Sequence, residues 1–193
     1  MRVSKDVMAK NNTKIVNEAA RLYREQGIEQ TSVAQVMKGV GLTHGGFYRH
    51  FSSKEALVCC AIEKIFSDMS NVMNANISEI GNTQAIETFI KTYLSYEHVK
   101  DVGGGCPIAA LSTEANYGPD VYRDSIERGR DILLGIISRT LADNKPKNSI
   151  NDLASEIFVI LLGTLAMART FSNRNDIDKL LNNGKLKALS LLK

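Results

Sequence analysis

Between Thr43 and Lys54 the chain gathers side chains suited to a hydrogen-bonding, negatively charged surface: Thr43, His44, Tyr48, Arg49, His50 and Lys54. Arg49 offers a planar fork of donors that matches the edge of guanine or a phosphate. Tyr48, His50 and Lys54 suit phosphate oxygens, and Thr43 and His44 reach bases or backbone. Gly45 and Gly46 let the main chain approach a partner closely, although two glycines in a short helix cost about 1 kcal/mol each relative to alanine. Tertiary support must therefore hold this segment. The helix start near Ser32 adds backbone N–H donors for another phosphate. This is the chemistry of double-stranded DNA read in its major groove.

Such groups work only if a short rod stands proud of a support, which is what a helix-turn-helix provides. Ser32 and Gln35 have capping-box spacing and predict a helix over 33–39, with Val33, Val36, Met37 and Val40 facing inward. Gly41 breaks it, Leu42 fills the space between helices, and Thr43 is placed to cap a very short helix running to His50. Phe47 and Phe51, four positions apart, share a face that pins this rod. Ahead of it, a helix from about Met8 or Asn12 to Gln26 buries Ile15, Ala19, Leu22 and Tyr23. Behind it, Ser52 with Glu55 predicts a second capping box, opening a long fourth helix to about Ile77.

The run Gly46-Phe-Tyr-Arg-His-Phe-Ser-Ser-Lys-Glu55 resembles the signature of the tetracycline-repressor (TetR/AcrR) family of transcriptional regulators, and the likeness extends over about residues 12–60. Beyond Lys64 it rests on length and helix order. The resemblance implies that Tyr48 and Lys54 contact operator phosphates and that Thr43, His44, Gly45 and Arg49 form the recognition surface. It also implies two heads on one dimer, a ligand chamber among the middle helices, and a dimer bundle made by the last two helices.

The rest of the chain keeps the helical period. Helices are predicted over 83–98, from Pro107 to about Tyr117, from Pro119 to about Leu141 or Asn144, over 150–171 and over 177–192. Asp101–Gly105 is a flexible break, Asp143–Asn148 a loop, and Ser149 with Asp152 a cap. The fold class is all-α with about nine helices. A DNA-binding head over 1–55 is joined through the long fourth helix to an effector-binding and dimerisation body over 56–193.

A dimer surface is expected from Leu153, Ile157, Leu161, Leu165 and Ala168, with Ile177, Leu181, Ala188 and Leu192, because both helices are apolar around much of their circumference. Phe66, Met69, Met73, Phe89, Tyr93, Tyr96, Ile108, Leu111, Tyr122, Ile126 and Leu133 are candidates to line a chamber, since aromatic and methionine side chains make adaptable walls. Periodicity alone does not separate such walls from solid core. Cys106, before Pro107 at a helix start, is a candidate thiol sensor, because the positive helix end lowers a thiol's pKa.

Bulk properties narrow the function. Net charge is +3, yet residues 1–58 hold nine Lys or Arg against five Asp or Glu and the remainder fifteen against sixteen, so the basic excess coincides with the motif. Three cysteines form neither a disulfide framework nor a metal knuckle, so no metal or cofactor is expected and a reducing, cytoplasmic setting fits. The apolar run Ile157–Ala168 is shorter than the roughly 20 residues of a membrane span. The reading is a regulator, not an enzyme and not a membrane protein. It is expected to be a homodimeric repressor released from operator DNA by a small apolar or electrophilic effector. Three alternatives stay open: an enzyme using Cys106 with His98 or Glu114, an activator or a DNA-binding protein without any ligand, and a helical protein-interaction adaptor.

Overall fold

The structure, a computed structural model, describes residues 5–142 and 149–193. Among these residues every regular element is helical, with nine α-helices and one 3-10 helix. The expected loop at Asp143–Asn148 lies outside the described residues.

The chain forms two compact units, the first from residues 1–65 with 106–129 and the second from 66–105 with 130–193. In the first, α1 (Lys5–Gln26) buries Ile15, Ala19, Leu22 and Tyr23 on one face. Helix α2 (Val33–Gly39) packs on α1 and on the 3-10 helix His44–Arg49. The first turns of α3 (Lys54–Ile80) add Leu57, Val58, Ala61 and Ile62, all fully buried. Helix α6 (Pro107–Tyr117) starts at its proline and also packs on α1. The first half of α7 (Asp120–Leu141) completes this unit.

The start of α3 differs by one residue from the capping box expected at Ser52. Ser53 accepts from the Ala56 N–H at 3.2 Å, so Glu55 arrives two residues after the cap, too early for the reciprocal bond. The Ser53 hydroxyl instead holds the Glu55 carboxyl below the usual carboxylate range.

The second unit contains the end of α3, α4 (Asn82–Tyr93), α5 (Tyr96–Lys100), the second half of α7, α8 (Ile150–Ala168) and α9 (Arg174–Ser190). The single helix expected over 83–98 is two helices. Ser95 accepts from the His98 N–H at 3.2 Å and starts a new helix, an N-cap that local periodicity does not reveal. Ser149 makes no side-chain capping bond, so the expected Ser149–Asp152 cap is not formed. Helix α9 begins three residues early because Asn173 caps it through Asn175 and Asp176.

Helices α8 and α9 pack along each other, with α4 and α5 against both. Gly184 permits the approach, since a Cβ there would lie 2.6 Å from Thr164 Oγ1. By length and composition α8 is the one helix among the described residues able to cross a membrane, with mean hydropathy 1.6. Ile157, Leu161, Leu165 and Ala168 of α8 and Ile177, Leu181 and Ala188 of α9 are buried within a single chain, while Leu153 and Leu192 are half-buried. The most apolar stripe of each helix is the one its own neighbours cover. The large apolar residues of α8 and α9 left to solvent are Val159, Met167 and Leu186, at 66%, 56% and 69% exposure.

Candidate nucleic-acid interface

Ser32 begins the arrangement. Its hydroxyl accepts from Gln35 N–H at 3.1 Å, and its own N–H donates to Gln35 Oε1 at 3.0 Å, closing the box read from the sequence. After α2 the chain turns at Gly41, whose φ of +72° lies in the left-handed region that favours glycine. Thr43 occupies the next cap position but makes no side-chain capping bond.

The recognition segment His44–Arg49 is a 3-10 helix instead of an α-helix. It is closed by Gly46 N–H to Thr43 O at 3.0 Å and His50 N–H to Phe47 O at 2.8 Å. Six residues with two adjacent glycines favour the tighter i to i+3 winding. Phe47 is 1% exposed and stacks on Phe51 with ring centroids 5.8 Å apart, which fixes the rod to its support. Tyr48 meets the edge of Phe47 at 5.2 Å and projects outward, 70% exposed.

The structure therefore brings Ser32, Thr43, His44, Gly45, Tyr48 and Arg49 out to solvent, with Lys54 half-buried beside them. His50 differs. Its Nδ1 hydrogen-bonds Asn12 Oδ1 of α1, and burial, then the charge of Arg49, lowers the pKa of its ring. Arg21 is engaged by Glu18 and Glu25, which raises its pKa. Asn12 had no signal in the sequence, because it lies 38 residues from His50.

The chamber candidates divide between the units. Phe66, Met69, Met73, Phe89, Tyr93, Tyr96 and Leu133 belong to the second, and Ile108, Leu111, Tyr122 and Ile126 to the first. Phe89 and Tyr93 do come together, at 5.6 Å, in an aromatic group that also holds His98 and Phe158. Tyr96 lies under the Arg174 guanidinium, 3.4 Å from its ring centroid. The Tyr122 phenol is pushed up to about 12 by burial and by the charges of Glu55 and Glu29, so it stays protonated. An open surface hollow of about 590 Å³ is lined by Ile80, Gly81, Asn82, Thr83, Gln84, Glu87, Thr88 and Lys91, none of them a chamber candidate. Cys106 stands at the N-cap of α6 as expected and is buried.

Known HTH-type regulators share this region of the chain. Bacterial regulatory proteins of the tetR family match residues 15–59, and the tetracycline-repressor-like C-terminal domain matches residues 83–183. The chain belongs to the tetR family. This tetR-family regulator is 26% identical over 175 residues to an uncharacterised HTH-type transcriptional regulator of Mycobacterium tuberculosis, covering 86% of this chain and 87% of that one. It is 22% identical over 173 residues to the HTH-type transcriptional repressor DhaR of Mycobacterium sp. strain GP1, covering 86% of each. The fold is shared with the regulator FadR of Bacillus subtilis, solved in complex with stearoyl-CoA, at TM-score 0.72 and 18% identity over 92% of this chain and 97% of that one.

Proposed function

We propose that this tetR-family regulator is a homodimeric repressor that occupies double-stranded operator DNA and releases it when a small apolar effector binds the body. Residues 1–55 read the DNA, and residues 56–193 hold the effector and the partner subunit. The observation that carries this reading is the exposure of Tyr48 and Arg49 on a rod anchored by buried Phe47. Arg49 reads base edges together with Thr43, His44 and Gly45, while Tyr48, Lys54 and the α2 N-terminus at Ser32 hold phosphates. His50, engaged by Asn12, holds the rod to α1 and contributes little to phosphate contact.

One rod reads only a few base pairs, so two copies placed about 34 to 36 Å apart, one turn of duplex, supply the specificity. Val159, Met167 and Leu186 supply the apolar part of the partner-facing surface on α8 and α9. An apolar effector is favoured by the aromatic group around Tyr93 and by the precedent of FadR, whose structure contains stearoyl-CoA. Repression is favoured by the named role of DhaR. The protein acts in the cytoplasm and catalyses no reaction. Glu114, one residue of the enzymatic alternative, is occupied by backbone N–H groups of Ile28 and Glu29. Cys106 remains a thiol trigger only for reagents small enough to reach a buried sulfur.

Selection of duplexes from a random pool by the purified full-length chain tests the reading. A pseudopalindrome with half-sites one helical turn apart, bound by two chains, is the expected result. A pool that never departs from random sequence contradicts it.

A further inference from the structure

The loop between α1 and α2 is held from outside its own segment. The carboxylate of Glu114, on the last turn of α6, accepts hydrogen bonds from the backbone N–H of Ile28 and, at 3.3 Å, from that of Glu29. Ile28 is buried, so its N–H must find a partner inside the protein. A Cβ on Gly27 would fall 2.0 Å from Glu114 Oε1, so the carboxylate fills the space that the glycine leaves open. From its own side the turn is closed by Gly27 N–H to Tyr23 O at 2.9 Å and by the buried Thr31 hydroxyl donating to Gly27 O at 2.7 Å. All these residues lie in the first compact unit, where α1 packs on α6.

We infer that Glu114 is a positioning residue for DNA recognition, a clasp through which α6 sets where α2 and the His44–Arg49 rod stand. The inference rests on the DNA-binding reading above. Ser32, the cap of α2, follows Glu29 by three residues, so whatever fixes the turn fixes the entry of α2. Hydrogen bonds to a carboxylate are about twice as strong as neutral ones and fail steeply when geometry is lost. A shift of α6 that withdraws the carboxylate breaks both bonds together and leaves the buried Ile28 donor unpaired. The turn therefore has a clasped and an unclasped arrangement, and an event that moves α6 reaches the rod through this contact.

Amide hydrogen exchange and duplex binding, both on the full-length chain, test the clasp. In the wild type the Ile28 amide is expected to be as protected as the interior amides of α6. In Glu114→Ala, exchange at Ile28 and Glu29 rises about tenfold or more while α8 is unchanged. Affinity for the duplex selected by the wild type falls about tenfold, and affinity for a scrambled duplex changes less than about twofold. Glu114→Gln keeps one acceptor oxygen and loses about threefold, which serves if the alanine variant does not fold. A wild-type Ile28 amide that exchanges like an exposed turn overturns the clasp. So does an unclasped variant that binds the selected duplex as tightly as the wild type. Absence of any salt-dependent duplex binding by the wild type overturns the DNA-binding reading itself, and protection at Ile28 would then report the contact without its role.

Discussion

His50 and Asn12 meet across 38 residues of sequence, ring Nδ1 against side-chain oxygen, and this contact ties the recognition rod to α1. Burial and the neighbouring Arg49 charge lower the pKa of His50 from its ordinary 6.5. Folding therefore favours the neutral ring, and the unfolded chain binds more protons in this window. The contribution to stability is present above pH 6.5 and is lost as pH falls through the folded-state pKa. Thermal unfolding of the wild type between about pH 7.5 and 5 should show a steeper loss of stability on acidification than His50→Gln, which does not titrate. Identical slopes would mean that the ring does not gate the contact.

Arg49 and Lys54 should separate by the kind of DNA they affect. Arg49→Ala is expected to cost about 1–3 kcal/mol on the selected duplex and much less on a scrambled one. Lys54→Ala should weaken both alike and reduce the slope of log K against log salt by about 0.9. Tyr48→Phe, which removes only the exposed hydroxyl, should behave like Lys54→Ala without the change of slope. Anisotropy titrations at several salt concentrations distinguish these outcomes, and equal losses on both duplexes for Arg49→Ala would assign it to the backbone.

The faces of α8 make opposite predictions. Met167→Asp, on the solvent side, should convert a dimer to a monomer with little change in thermal stability. Leu161→Ala, fully buried within one chain, should cost about 2–5 kcal/mol of folding stability instead. Light scattering and calorimetry on the two variants check this division. A Met167→Asp protein that stays dimeric would move the interface elsewhere.

The three thiols differ in access: Cys60 is exposed, Cys59 half-buried and Cys106 buried. A bulky maleimide should modify Cys60 first, and Cys60→Ser should remove the fast phase. Rapid labelling of Cys106 in the folded protein would show that its cover opens readily and would favour the thiol trigger.

What the sequence made legible is local. The Ser32–Gln35 box, the turn at Gly41 and the start of α6 at Pro107 all depend on neighbours within a few residues, and each stands where spacing placed it. The exposure of Tyr48 and Arg49 follows from the same logic, because Phe47 and Phe51 claim the inner face. What was illegible depends on distant partners. The stripe Ile157–Leu161–Leu165 reads equally well as an interface or as core, and its burial within one chain depends on α9, α4 and α5, which pack against α8. Glu114 and Asn12 are ordinary surface residues by type, and their roles arise from contacts 86 and 38 residues away. The 3-10 winding of His44–Arg49 lies between these cases, since the glycines announce a weak α-helix without fixing its alternative.

Binding of the full-length chain to its selected duplex and to a scrambled duplex, each titrated from about 50 to 200 mM salt, bears most directly on the proposal that an exposed rod enters the major groove. The expected result is at least about a thousandfold preference for the selected duplex, with both affinities falling steeply as salt rises. Equal affinity for the two duplexes, or binding indifferent to salt and to Arg49→Ala, would contradict it.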